Sequence, residues 1–141
     1  MISSLSRDGD GAPSEPNEAL EALLWLGVSM MRAGNTAFET REWMQALAAK
    51  IGFDAISLSF TLDSITASVR RRDMSATMVR EIGPPGVNAS RIRELEQLVK
   101  ATKPGSAAHT VTVKLAEINA VPPFFSPIQI AAAVGVASGP S

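Results

Sequence analysis

The stretch Ile56-Ser57-Leu58-Ser59-Phe60-Thr61-Leu62-Asp63-Ser64-Ile65-Thr66-Ala67-Ser68-Val69-Arg70 decides the fold. Ile56, Leu58 and Phe60 alternate with hydroxyl residues, and so do Ile65, Ala67 and Val69. Successive side chains of a strand point to opposite faces, so this rhythm marks two half-buried strands. Leu62-Asp63 fits a tight connection between them. A third β-rich run, Ser75 to Ile82, follows the polar turn Arg71-Arg72-Asp73. The three runs predict an antiparallel meander with one wet face, and the other face needs helices to cover it. A charge placed at Leu58 is expected to be severely destabilising.

Working outward toward the N-terminus, Asn17 is the expected N-cap of a helix carrying Leu20, Leu23, Leu24, Leu26, Val28, Met30 and Met31, with Gly34 placed to end it. This helix is apolar around most of its circumference, which predicts burial on more than one side. Thr36-Ala37-Phe38-Glu39 then has the capping-box spacing, in which the threonine oxygen and the glutamate carboxylate each satisfy a free backbone N–H. A second helix starts there, with Phe38, Trp43 or Met44, Leu47 and Ile51 expected to face inward and Gly52 to stop it. Outward in the other direction, Pro84-Pro85-Gly86 breaks the chain. Asn88 or Ser90 caps a helix with Ile92, Leu95 and Val99 on one stripe, and Pro104-Gly105 ends it. Ser106 to Asn119 forms a short last helix with Val111, Leu115 and Ile118 inward, although its β-branched Val111-Thr112-Val113 is poor helix material.

These segments give an α+β domain over residues 17–119, with a three-stranded antiparallel sheet packed by about four helices. Residues 1–16 carry Ser, Gly, Pro and acidic residues without an apolar core, which predicts a disordered tail and no secretory address. Residues 120–141 are of another kind. Glu117 is the final charge of the chain, and Phe124, Phe125, Ile128, Ile130 and an Ala/Val run follow prolines 122, 123 and 127. A membrane helix needs about 20 predominantly apolar residues, so this stretch is expected to be an incomplete transmembrane segment.

At 141 residues with a formal net charge of −1, the chain suits one domain and has no electrostatic footprint for nucleic acid. It has no cysteine and a single histidine, which excludes disulfides, thiolate-ligated metals and a multi-histidine centre within one chain. His109 has the only side chain whose ordinary pKa lies near neutrality, and an enzyme would have to pair it with a serine or with Asp63. The sequence holds no nucleophile elbow, zinc-helix motif or phosphate loop to bring such a set together. Arg70-Arg71-Arg72 could meet anionic lipid, but a solvated hairpin turn accounts for it more simply. Trp25, Trp43 and the methionines sit at helical spacing and belong to packing. No catalytic, cofactor-binding or metal-ligating residue is assigned, and no cofactor is expected.

Leu26-Gly27-Val28-Ser29-Met30-Met31-Arg32-Ala33-Gly34-Asn35-Thr36-Ala37-Phe38-Glu39-Thr40-Arg41-Glu42-Trp43-Met44, then Ala48-Ala49-Lys50-Ile51-Gly52-Phe53, then Pro85-Gly86-Val87-Asn88 before a capped helix, together resemble the N-terminal domain of the threonine/serine exporter family. The resemblance spans roughly residues 20 to 139. It implies a soluble α+β domain on the cytoplasmic side of the inner membrane, preceding helices that export small amino acids or related carboxylates. The chain would then be a fragment ending at the start of the first such helix, unable to transport alone. The implied partners are the missing membrane helices, in the same or an adjacent polypeptide, with the substrate bound in the full transporter. A homo-oligomer stays open. The rival readings are a small hydrolase-like domain using His109 and a stand-alone interaction module.

Overall fold

A run of seventeen residues, Pro16–Arg32 (α1), forms the spine of the domain and packs against all three other helices and against two of the three strands. Its Leu20, Leu23, Leu24, Leu26 and Met30 are fully buried. Burial on several sides is what its nearly uncharged circumference predicts. The computed structural model describes residues 16–120; residues 1–15 of the expected N-terminal tail and residues 121–141 of the expected C-terminal membrane segment lie outside the described residues, while Pro16 and Ala120 belong to helices. Order along the chain is α1, α2 (Ala37–Lys50), β1 (Ala55–Phe60), β2 (Ser64–Arg71), β3 (Met74–Glu81), α3 (Ala89–Ala101) and α4 (Ala108–Ala120). No described helix is long and apolar enough to cross a membrane.

The sheet is the antiparallel meander β1-β2-β3 that the alternation predicts. Its register sets Leu58, Ala67 and Met78 in one cross-strand row, and Ile56, Val69 and Ala76 in the next. Those rows face the helices. The opposite face carries Ser57, Ser68 and Thr77 in a row, with the last two hydroxyls 2.8 Å apart. Only the middle strand is fully enclosed: Ile65, Ala67 and Val69 are buried, whereas Ile56, Leu58 and Phe60 on the edge strand are half-buried. The severe penalty expected at Leu58 therefore moves to the middle strand.

Helix ends follow the sequence signals with instructive exceptions. α1 begins at Pro16, so Asn17 lies inside the first turn instead of capping it; proline's fixed φ and missing N–H suit that turn. Gly34 and Gly52 end α1 and α2 with φ of +99° each. Thr36 Oγ1 accepts from Glu39 N at 3.1 Å, the expected half of a capping box. Glu39 does not supply the other half, because the Thr36 N–H donates to Asn35 Oδ1 at 2.9 Å. A shorter side chain one residue away has taken that donor. Asn88, not Ser90, caps α3, with Oδ1 accepting from Arg91 N at 3.0 Å.

Phe38 is 68% exposed, against the expectation that it faces inward. The inner face of α2 runs through Thr40, Met44, Leu47, Ala48 and Ile51. Position 38 precedes Thr40 by two residues, about 200° around a helix turning 100° per residue, which points it away from the core. In α3 the buried stripe is Leu95, Leu98 and Val99, with Ile92 only half-buried. Val111 and Leu115 hold α4 to the core as expected.

Thr40 is fully buried and its hydroxyl has no hydrogen-bond partner among the described residues. A buried, unmatched hydroxyl carries a desolvation cost of about 1–3 kcal/mol. Thr40→Val keeps the shape and removes the polar atom, so a gain of about 1 kcal/mol is expected in urea unfolding. Destabilisation by that replacement would show that the hydroxyl is satisfied after all.

Candidate functional site

The residues singled out for chemistry are not brought together. His109 lies exposed in the first turn of α4, and its side chain makes no hydrogen bond among the described residues. Asp63 belongs to the β1–β2 turn, where it accepts from Thr61 Oγ1 at 3.2 Å. The arginine cluster is architectural. Arg71 Nη2 donates to Ile51 O at 2.7 Å and its Nε to Gly52 O at 3.3 Å, serving the carbonyl end of α2, while its guanidinium lies 4.8 Å from the Phe53 ring centre. Arg72 turns the chain with φ of 59°, and its N–H donates to Asp54 Oδ2 at 2.6 Å. Arg41 likewise ties α2 to β1, donating to Leu58 O at 3.0 Å above Phe60. No group of three or more potential metal ligands occurs among the described residues.

Two of the recesses among the described residues stand out by size. The first is a shallow groove of about 680 Å³ between α3 and α4, bordered by Arg93 and Lys114 as well as Glu94 and Glu117, so its charges oppose one another. The second is a more enclosed cleft of about 520 Å³ where the C-terminal half of α1, the 84–88 loop, the start of α3 and the end of α4 meet.

Backbone chemistry builds that cleft. The last carbonyls of a helix lack intrahelical partners, and the 84–88 loop meets two of them. Gly86 N donates to Arg32 O at 2.7 Å and Asn88 N to Ala33 O at 2.8 Å. Asn88 then opens α3, which places Arg91 on the wall of the cleft that Arg32 also lines. Arg91 Nη1 lies 3.5 Å from Asn119 Oδ1, and Asn119 Nδ2 is anchored on Leu115 O at 2.8 Å. The side chain of Arg32 runs over Gly83, where a Cβ would stand 3.7 Å from its Nε. Trp25 and Pro84 supply apolar wall. None of the described residues lining the cleft is acidic.

Sequence reasoning missed this cleft. Arg32 ends an apolar helix and Arg91 begins a charged one, so each looks like an ordinary solvated charge; their meeting depends on where the 84–88 loop docks.

A family model described as "Putative threonine/serine exporter" matches residues 21–140. The match covers most of the chain, which therefore belongs to this family of membrane exporters. No curated protein and no solved structure matches it.

Proposed function

We propose that residues 17–119 form the part of an amino-acid or small-carboxylate exporter that lies outside the bilayer, on the cytoplasmic side of the inner membrane. The supporting observation is the family match, which runs continuously from the α1 spine through the uncharged stretch after Glu117. A polar route through lipid needs spanning helices or a closed barrel that satisfies every backbone group. Secondary transporters place the substrate between several such helices, so this domain serves assembly, gating or substrate access, with membrane helices of the same or an adjacent polypeptide as its partner. His109 is not part of an active site in this reading, because among the described residues its side chain makes no hydrogen bond to a nucleophile or to an orienting carboxylate.

Efflux of preloaded threonine, serine or a small dicarboxylate tests the proposal. Cells producing this chain without any related membrane protein are expected to show only background efflux. Cells producing it joined to, or together with, the membrane helices of a family member are expected to export. Efflux above background from the chain by itself would overturn the reading.

A further inference from the structure

We propose that the Arg32–Arg91 cleft is a binding site for a small organic oxyanion of net negative charge, and that it discriminates against zwitterionic amino acids. Three features of the cleft carry this. Its charge is of one sign among the described residues: two guanidiniums line it and none of those lining residues carries a carboxylate. A guanidinium presents a planar fork of donors matched to carboxylate or phosphate oxygens, and two of them facing one recess favour a ligand with more than one negative charge.

The second feature is the set of neutral polar groups. Ser29 is almost fully buried in the cleft wall, and Asn88 and Asn119 flank Arg91. Asn88 is also the cap of α3, so the positive end of that helix adds to the field of the arginines. The third feature is size and wall chemistry. About 520 Å³ lies within the range of small-ligand pockets, and the Trp25 indole with the proline rings gives an apolar surface for a carbon skeleton.

An amino acid meets these features poorly. Its ammonium stands one carbon from its carboxylate, so any pose that pairs the carboxylate with a guanidinium carries the ammonium toward the cations. No acidic residue among the described lining residues offsets that repulsion. The ligand is therefore chemically distinct from threonine or serine, which makes the cleft a place where an anionic effector acts on an exporter domain. The effector role rests on the exporter reading; the binding itself does not.

Trp25 lines the cleft, whereas the other tryptophan, Trp43, lies on α2, so a Trp43→Phe background reports on the cleft by fluorescence. The full chain, kept in mild detergent, is titrated with malonate, phenyl phosphate, inorganic phosphate and threonine. Malonate or phenyl phosphate is expected to give a saturable change, with threonine at least about tenfold weaker, and with added salt lowering the affinity. The relative order of malonate and phenyl phosphate tells a carboxylate site from a phosphate site, and inorganic phosphate shows what the oxyanion contributes without a carbon skeleton. Arg32→Gln, at an exposed position outside the core, is expected to raise the Kd by about tenfold or more while leaving the melting temperature unchanged. The proposal fails if neither organic anion binds saturably, if threonine binds as tightly as they do, or if Arg32→Gln leaves the Kd unaltered. Because the titration needs no membrane and no transport, its failure leaves the efflux result standing, and the reverse also holds.

Discussion

Ala67→Asp is expected to leave the domain unfolded at room temperature, while Ser68→Asp, one residue away, melts within a few degrees of the parent. Ala67 is 0% exposed at the centre of the middle strand, with apolar Leu58 and Met78 as its cross-strand partners. An aspartate there would be an ionised carboxylate without a cation, or a protonated one without a hydrogen-bond partner, and it would also be too large for the space of a methyl group. Unpaired buried charge is among the few single changes that exceed about 4 kcal/mol, which is most of the ~5–15 kcal/mol that holds a typical domain together. Ser68 points the other way. Its row contains Ser57 and Thr77, and the Thr77 hydroxyl that now sits 2.8 Å from Ser68 Oγ can donate to a carboxylate in its place. Loss of β-propensity then leaves a cost of about 1 kcal/mol or less. Circular-dichroism melts of the two variants decide the matter: similar melting temperatures would mean that β2 does not present Ala67 to the helices.

The contrast between those neighbours was legible in the sequence because a two-residue period is a property of the strand itself and needs no knowledge of its partners. The same holds for Gly34, Gly52, Thr36 and Asn88, whose local backbone roles follow from residue type and spacing. Legibility failed where phase or tertiary closure decides. In α2 the apolar residues Phe38, Trp43, Met44 and Leu47 are spread too widely around the helix to define one face, and contact with α1, β1 and α3 selects Met44 and Leu47 over Phe38. In the capping box, Asn35 and Glu39 compete for one N–H, and the pattern does not say which wins. Half-burial at Leu58 reflects its place on an edge strand, which the alternation by itself does not distinguish from the middle of a sheet. The cleft was the least accessible feature of all. Arg32, Arg91 and Asn119 are remote in sequence, and what gathers them is the pair of backbone hydrogen bonds that lay the 84–88 loop on the end of α1.

That same junction sets the second large effect. Gly34→Ala is expected to destabilise the domain by roughly 2–5 kcal/mol, combining left-handed backbone strain with overpacking. The backbone at Gly34 has φ of +99°, a conformation that a Cβ disfavours, and a Cβ built there would lie 2.7 Å from Gly86 O. The obstacle is main chain, so no side-chain rotation removes it. Nor can the loop swing aside without cost, because Gly86 N and Asn88 N are bonded to Arg32 O and Ala33 O. Gly105 provides the control. It has φ of +88°, but none of the described residues lies within 4 Å of a Cβ there, so Gly105→Ala should show only the backbone term of about 1–2 kcal/mol. Urea unfolding of both variants separates the two contributions: the difference between them measures how tightly the 84–88 loop is held against α1. Equal losses would mean that the loop yields freely and is not a fixed wall of the cleft. With a rigid loop, the folded fraction of Gly34→Ala should also bind anions more weakly than the parent, whereas Gly105→Ala, remote from the cleft, should bind them as the parent does.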